Sequence, residues 1–271
     1  MSPSTRFLIL SDTHEGSHPW PYTATRPSPR ADVLLHCGDL TQVGGLSAFK
    51  KAMNNIRAMD AEIKLVIAGN HDLELDEKWV REHPNEVDID KHRECVAYMK
   101  SLESEGVYCL EEGTHTFRLK DGKVFSVYAS SYTPAFNDFA FAYGENEDRF
   151  NHGANPVPNN VDIVLSHGPP ALPKHAGYNL DAAADGRHCG CEKLAKAVRR
   201  AQPKVHCFGH MHEGRGATKM GWADDRLKEL IVEREDGFEV VQVEKIGKGE
   251  TVLVNAAMFE DGKEWIADMD L

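Results

Sequence analysis

Five short apolar runs, each closed within a residue or two by a polar motif, constrain this chain more than any other feature. Phe7-Leu8-Ile9-Leu10 leads to Asp12-Thr13-His14, Val33-Leu34-Leu35 to Gly38-Asp39, and Leu65-Val66-Ile67-Ala68 to Gly69-Asn70-His71-Asp72. Further on, Ile163-Val164-Leu165 leads to Ser166-His167-Gly168, and Val205-His206-Cys207-Phe208 to Gly209-His210-Met211-His212. The runs are too short for independent helices and are rich in β-branched or aliphatic residues, which predicts strands buried on both faces. Each polar motif then leaves a strand at its carboxyl end, the edge where open α/β sheets gather their sites. A sheet can bring residues this distant in sequence to one rim.

With 271 residues and 41% hydrophobic content, the chain can bury a large core, as one big α/β domain or as two smaller ones. The polar motifs span Asp12 to His212 without a Pro/Gly/Ser linker, so residues 1–271 are read as one domain. Glu15 to Arg30 reads as a loop over the rim. Helical periodicity covers Gly45 to Met59, with Leu46, Phe49, Met53 and Ile56 on one face, and His92 to Glu105, with Val96, Met99 and Leu102 inward. A third helix is expected near Cys191 to Ala201. Val107 to Leu110, His115 to Leu119 and Val124 to Ala129 read as a meander, and the tail from Thr218 to Leu271 as further strands.

Between Ser130 and Asn160 the chain carries Tyr132, Phe136, Phe139, Phe141, Tyr143 and Phe150 among turn formers. So many aromatics argue against disorder. Two readings stand: a lid packed on the core, or a wall that contacts substrate.

Acidic side chains outnumber basic ones by 43 to 31, for a formal net charge of -12. Such a surface repels long polyanions, so no nucleic-acid partner is expected, and the Lys196 to Arg200 stretch reads as a solvated helix face. A small phosphorylated substrate fits better. The cysteines at 37, 95, 109, 189, 191 and 207 form no dense pairing framework. Met1 to Arg6 runs straight into the first strand and no apolar run reaches membrane-spanning length, so a cytoplasmic protein without a membrane partner is expected. Oligomeric state is not encoded in any of these features.

The motifs supply two aspartates, an asparagine and several histidines, the ligand inventory of a two-metal hydrolase. In Asp12-x-His14 the two side chains of an extended segment point to the same side. Asp39 suits a bridging role because a carboxylate has two oxygens, Asn70 offers an amide oxygen, and His167, His210 and His212 offer imidazole nitrogens. This oxygen and nitrogen set suits two divalent ions of Mn, Fe, Zn or Co better than Ca and does not choose among them, with Mn taken as the ion for activity. Water between the ions would become hydroxide near neutral pH and attack phosphorus in line. His71 is assigned transition-state stabilisation or general-acid work, with Asp72 as its orienting partner. His188-Cys189-Gly190-Cys191 lacks a structural zinc spacing and reads as a packed turn.

In series these motifs resemble the calcineurin-like metallophosphoesterase family, whose pattern runs D-x-H, G-D, G-N-H-[DE], G-H and G-H-x-H. The resemblance covers Phe7 to Gly214 and continues toward Asn255. It implies an α/β fold of four layers, an α-β-β-α sandwich with two mixed sheets. It also implies that Asp12, His14, Asp39 and His212 bind one metal, and Asp39, Asn70, His167 and His210 the other. Leu35 to Thr41, Tyr132-Thr133-Pro134, Ser166 to Pro170, Gly190-Cys191 and Phe208 to Gly214 are similar to a eukaryotic subgroup, the metallophosphoesterase-domain proteins. That similarity implies hydrolysis of phosphodiesters such as cyclic nucleotides, although Thr218 to Glu250 looks longer here than in animal members. The alternatives are a phosphomonoesterase, which basic residues such as Arg26, Arg30, Arg187 or Arg215 over the outer phosphate oxygens would favour, and a catalytically silent scaffold of the same fold.

Overall fold

A computed structural model of the chain describes residues 4–16, 22, 27–172, 174–235, 238–243, 249–258 and 264–271. The elements run β1 (Thr5–Leu10), β2 (Ala31–His36), α1 (Leu46–Arg57), β3 (Ala61–Val66), α2 (Glu77–Glu82), α3 (Ile89–Ser101), β4 (Val107–Cys109), β5 (Gly113–Arg118) and β6 (Val124–Ser130). They continue with β7 (Thr133–Pro134), β8 (Ala142–Tyr143), β9 (Ile163–Ser166), α4 (Glu192–Ala201), β10 (Val205–Phe208), β11 (Gly216–Gly221) and β12 (Arg226–Lys228). The last are β13 (Val232–Glu235), β14 (Phe238–Gln242), β15 (Glu250–Asn255) and β16 (Trp265–Met269).

The predicted strands alternate burial between two apolar environments, and this alternation builds the layers. Phe7, Ile9, Val33, Leu35 and Leu65 of one sheet meet Phe125, Val127, Ile163, Leu165, Val205, Cys207, Val252 and Val254 of the other in a shared core. The opposite faces carry Leu8, Leu10, Leu34 and Val66 against Phe49, Met53 and Ile56 of α1 and Cys95 and Met99 of α3. On the far side Tyr128, Val164, Phe208 and Leu253 pack on Leu194, Ala197 and Val198 of α4. The result is helix, sheet, sheet, helix, the four-layer α/β arrangement expected.

Both sheets are mixed. One has the order β13-β14-β16-β1-β2-β3-β4 and the other β12-β11-β15-β10-β9-β6-β5. β1 to β4 run parallel, whereas β16 pairs antiparallel to β1 with Thr5 opposite Met269. β6, β9, β10 and β15 are parallel in the second sheet. β1, β2 and β3 thus end at one edge of the first sheet and β9 and β10 at one edge of the second, and the contact of His167 with the Cys37 carbonyl brings the two edges together.

The helices follow local signals. In α1 the buried residues are Phe49, Ala52, Met53 and Ile56, the spacing of one helix face. α3 begins at Ile89, earlier than its periodicity predicts, because Asp88 accepts the Asp90 amide as N-cap. It gives way to a 3-10 turn over Leu102–Glu105, and Cys95 rather than Val96 points into the core. Cys191 is buried and caps α4 through its sulfur, 3.3 Å from the Leu194 amide, whereas Cys189 and His188 are exposed, His188 bonding Asp181, so the expected packed turn is packed only at its Cys191 end. Among the described residues no helix is long and apolar enough to cross a membrane. The expected rim loop Glu15 to Arg30, with His18 and Arg26, lies largely outside the described residues.

Candidate metal centre

Strand ends deliver the polar motifs with a tight backbone. The Asp12 amide donates to the Gly38 carbonyl at 2.9 Å and the His14 amide to the Asp39 carbonyl at 3.1 Å, lacing the first two motifs together. Asp12, His14, Asp39 and His210 adopt φ values of 56°, 44°, 54° and 67°. Each such left-handed residue costs about 1 kcal/mol, and the cost is tolerated where the surroundings fix the backbone. Glycine is required at two approaches. A Cβ on Gly209 would collide with the side chains of Ser11 and Asp12, and one on Gly69 with Asp39.

Two groups of potential ligand atoms result: Asp12, His14 and His212, and Asp39, His167 and His210. Asn70 joins the second through its Oδ1, 2.8 Å from His167 Nε2. Asp39 lies between the groups, with Oδ1 3.4 Å from His167 Nε2 and Oδ2 4.0 Å from His14 Nε2. His212 Nε2 is 3.4 Å from Asp12 Oδ1. The backbone amides of His71 and His210 donate to Asp39 and Asp12, orienting both carboxylates.

The donor set fits divalent cations on an observation internal to the site. His14 Nδ1 donates to the Thr41 carbonyl at 3.0 Å and His167 Nδ1 to the Cys37 carbonyl at 2.8 Å. Each ring is thereby locked with Nε2 toward the carboxylates, the orientation of a histidine ligand held from behind. Electrostatics agree. Burial opposes ionisation of Asp12, but His212 and His167 outweigh it and hold its carboxyl below the usual range. Burial pulls His210 down to about 4, with His167 adding to the effect, and also lowers His14. Both are thus neutral imidazoles with lone pairs to offer. His167 differs: burial pulls it down, but Asp39 overrides it and raises the ring to about 9, so it carries a proton near neutral pH that a cation must displace before Nε2 can bind it.

Sequence reasoning named these side chains but not what supports them. Asn255 donates to the carbonyls of Leu180 and Met211, anchoring the loop that carries His210 and His212. His36 bonds Thr13 through Nε2 and receives the Gly38 amide on Nδ1, and burial lowers it to about 3, so it is a neutral brace. One expectation is corrected: Asp72 does not orient His71. Its carboxylate accepts from the amides of Leu40, Thr41 and Gly69 and from the Thr41 hydroxyl, while His71 Nδ1 donates to the Gln42 carbonyl at 2.6 Å. A buried carboxylate satisfies loop amides more readily than a half-exposed ring. Backbone carbonyls such as those of Cys37, Thr41 and Gln42 leave no mark in a sequence.

The aromatic segment divides. Tyr143 and Phe150 are buried in the core beneath α4. Phe139 packs 4.6 Å from the His71 ring, and Phe136 meets His210 edge-on at 5.2 Å. Behind this turn lies a separate cavity of about 950 Å³, lined by Leu75, Met99, Tyr132 and Phe141 with charged residues of α2.

The motif series matches the calcineurin-like phosphoesterase family over residues 5–214. The chain belongs to that family. It is 33% identical over 226 residues to metallophosphoesterase domain-containing protein 1 of Homo sapiens and, equally, of Mus musculus, covering 80% of this chain. The chain spans 63% of the length of those relatives. In fold it is similar to the phosphopantetheinyl hydrolase of Mycobacterium tuberculosis, with a TM-score of 0.50 at 14% identity, over 95% of this chain and 90% of that one.

Proposed function

We propose that this chain is a metal-dependent phosphoester hydrolase that holds two divalent cations and prefers small phosphodiesters, cyclic nucleotides among them. The observation that carries the reading is Asp39, whose two carboxylate oxygens face His167 on one side and His14 on the other. Asp12, His14, Asp39 and His212 are assigned to one ion, and Asp39, Asn70, His167 and His210 to the other, with manganese the ion proposed for activity. Bound there, the cations supply charge against the phosphoryl oxygens and lower the pKa of water.

The chain's own residues do the rest. Donation from His71 Nδ1 to the Gln42 carbonyl keeps that proton in place, so it is the imidazolium form that can pass a proton from Nε2 to a leaving oxygen, the ring returning to its neutral Nδ1–H tautomer. Asp72 ties the Gly38–Thr41 and Gly69–His71 loops into one frame, and so keeps Asp39 and Asn70 in register. Diesters are proposed over monoesters because the Arg215 guanidinium, which a monoesterase could recruit, lies instead 4.9 Å over the Trp265 ring. The acidic surface supports a small substrate rather than a nucleic acid.

The test is hydrolysis of bis-p-nitrophenyl phosphate beside p-nitrophenyl phosphate, with manganese and with chelator. Manganese-dependent cleavage of the diester supports the reading. Cleavage of the monoester alone transfers the assignment to a phosphatase, and silence on both leaves a scaffold of the same fold.

A further inference from the structure

The rim of the site carries an aromatic feature that the metal ligands do not explain. Phe136 and Phe139 stand on the turn between β7 and β8 with ring centroids 5.3 Å apart and planes inclined by 37°. One ring borders His210 and the other His71. Phe136 is nevertheless 40% exposed, while Tyr143 and Phe150 of the same segment are 4% and 1% exposed. Core packing thus accounts for the second pair and not for the first.

The turn is firmly held. Trp79 Nε1 donates to the Asp138 carbonyl at 3.0 Å, and His83 Nε2 meets the Asp138 carboxylate at 2.8 Å. The Ala140 amide donates to the Asn70 carbonyl at 3.2 Å, and the Phe141 amide to Asp76 at 2.6 Å. Asn137 and Phe141 keep φ values of 46° and 53°, conformations that persist only where the surroundings over-determine them. An exposed aromatic face fixed in advance costs little further ordering when a ligand arrives. It rewards flat rings, through offset or edge-to-face contact, beyond what apolar area alone would give.

We infer that Phe136 and Phe139 form a wall against which a planar aromatic substituent of the phosphoester stacks, with Phe136 determining specificity and Phe139 backing it. Preferred substrates then carry an aryl or heteroaryl group close to phosphorus. The inference rests on the proposed function in taking His71 and His210 as residues that face the phosphoryl group.

The test is calorimetric binding of phenylphosphonate and cyclohexylphosphonate to the manganese-loaded full chain. The two share a headgroup and a ring size, resist hydrolysis, and differ in the flat π face. Wild type should bind the phenyl compound more tightly on the order of fivefold. Phe136→Leu should bring the ratio to unity or below, and Phe136→Trp should restore it. Equal or cyclohexyl-favoured binding by wild type, binding of neither, a ratio unchanged in Phe136→Leu, or an equal loss in Leu and Trp would overturn the inference. Hydrolysis of bis-p-nitrophenyl phosphate by wild type is read separately. A phenyl preference without turnover sinks the phosphoesterase reading alone, and turnover without the preference sinks the wall alone.

Discussion

Asn70 Oδ1 and His167 Nε2 lie 2.8 Å apart although 97 positions separate them in the chain. β3 delivers the first and β9 the second, from different sheets, so the contact closes the site across the sandwich. With Asn70→Ala, bound metal should drop from about two to about one per chain while the fold persists. Elemental analysis beside circular dichroism checks this, and full metal content in the variant would remove Asn70 from the ligand set.

His71 should separate chemistry from metal binding. Its ring is held by the Gln42 carbonyl, and its amide, not its side chain, serves Asp39. His71→Ala is expected to slow diester hydrolysis roughly a hundredfold to ten-thousandfold with metal content intact. An unchanged rate would remove its role in proton transfer.

Asp72 should act through the frame. Replacement by alanine strands the buried amides of Leu40, Thr41 and Gly69, each of which now donates to its carboxylate. A loss of about 3 kcal/mol is expected in urea unfolding. Wild-type stability in Asp72→Ala would mean that those amides find other partners.

These residues also mark how far the sequence could be read. The motifs and their strands were legible because buried strands write continuous apolar runs and their carboxyl ends converge, as Asp12, Asp39 and His167 do. The pairing of Thr5 with Met269 was not, since register between distant strands depends on the packed sheet. α2 is too short to show a period and is absent from the sequence expectations; in the structure Asp76 starts it as the N-cap, accepting from the amides of Lys78 and Trp79. The aromatic segment was legible as ordered but not as divided, because composition does not tell Phe136 at the rim from Phe150 in the core.

His83 offers a pH test at a distance from the candidate metal ligands. Its bond to Asp138, then the Trp79 carbonyl, raise its pKa above 6.5, and Glu86 adds to the field. A raised histidine pKa contributes stability fully present below pH 6.5 and lost as pH climbs through the folded value. The melting temperature of wild type should therefore exceed that of Asp138→Asn at pH 6 and converge with it by about pH 9. A constant difference across that range would show that the ion pair does not hold the turn.

The central proposal is that Asp39 joins two groups of ligand side chains into one two-metal hydrolytic site. The most direct measurement is the divalent metal content of the purified full chain, wild type and Asp39→Asn, after exhaustive removal of loosely bound ions. About two ions per chain in wild type, with a marked loss in the variant and a parallel loss of diester hydrolysis, is the predicted result. A well-folded wild type that retains no metal, or an Asp39→Asn variant that keeps both ions, would contradict it.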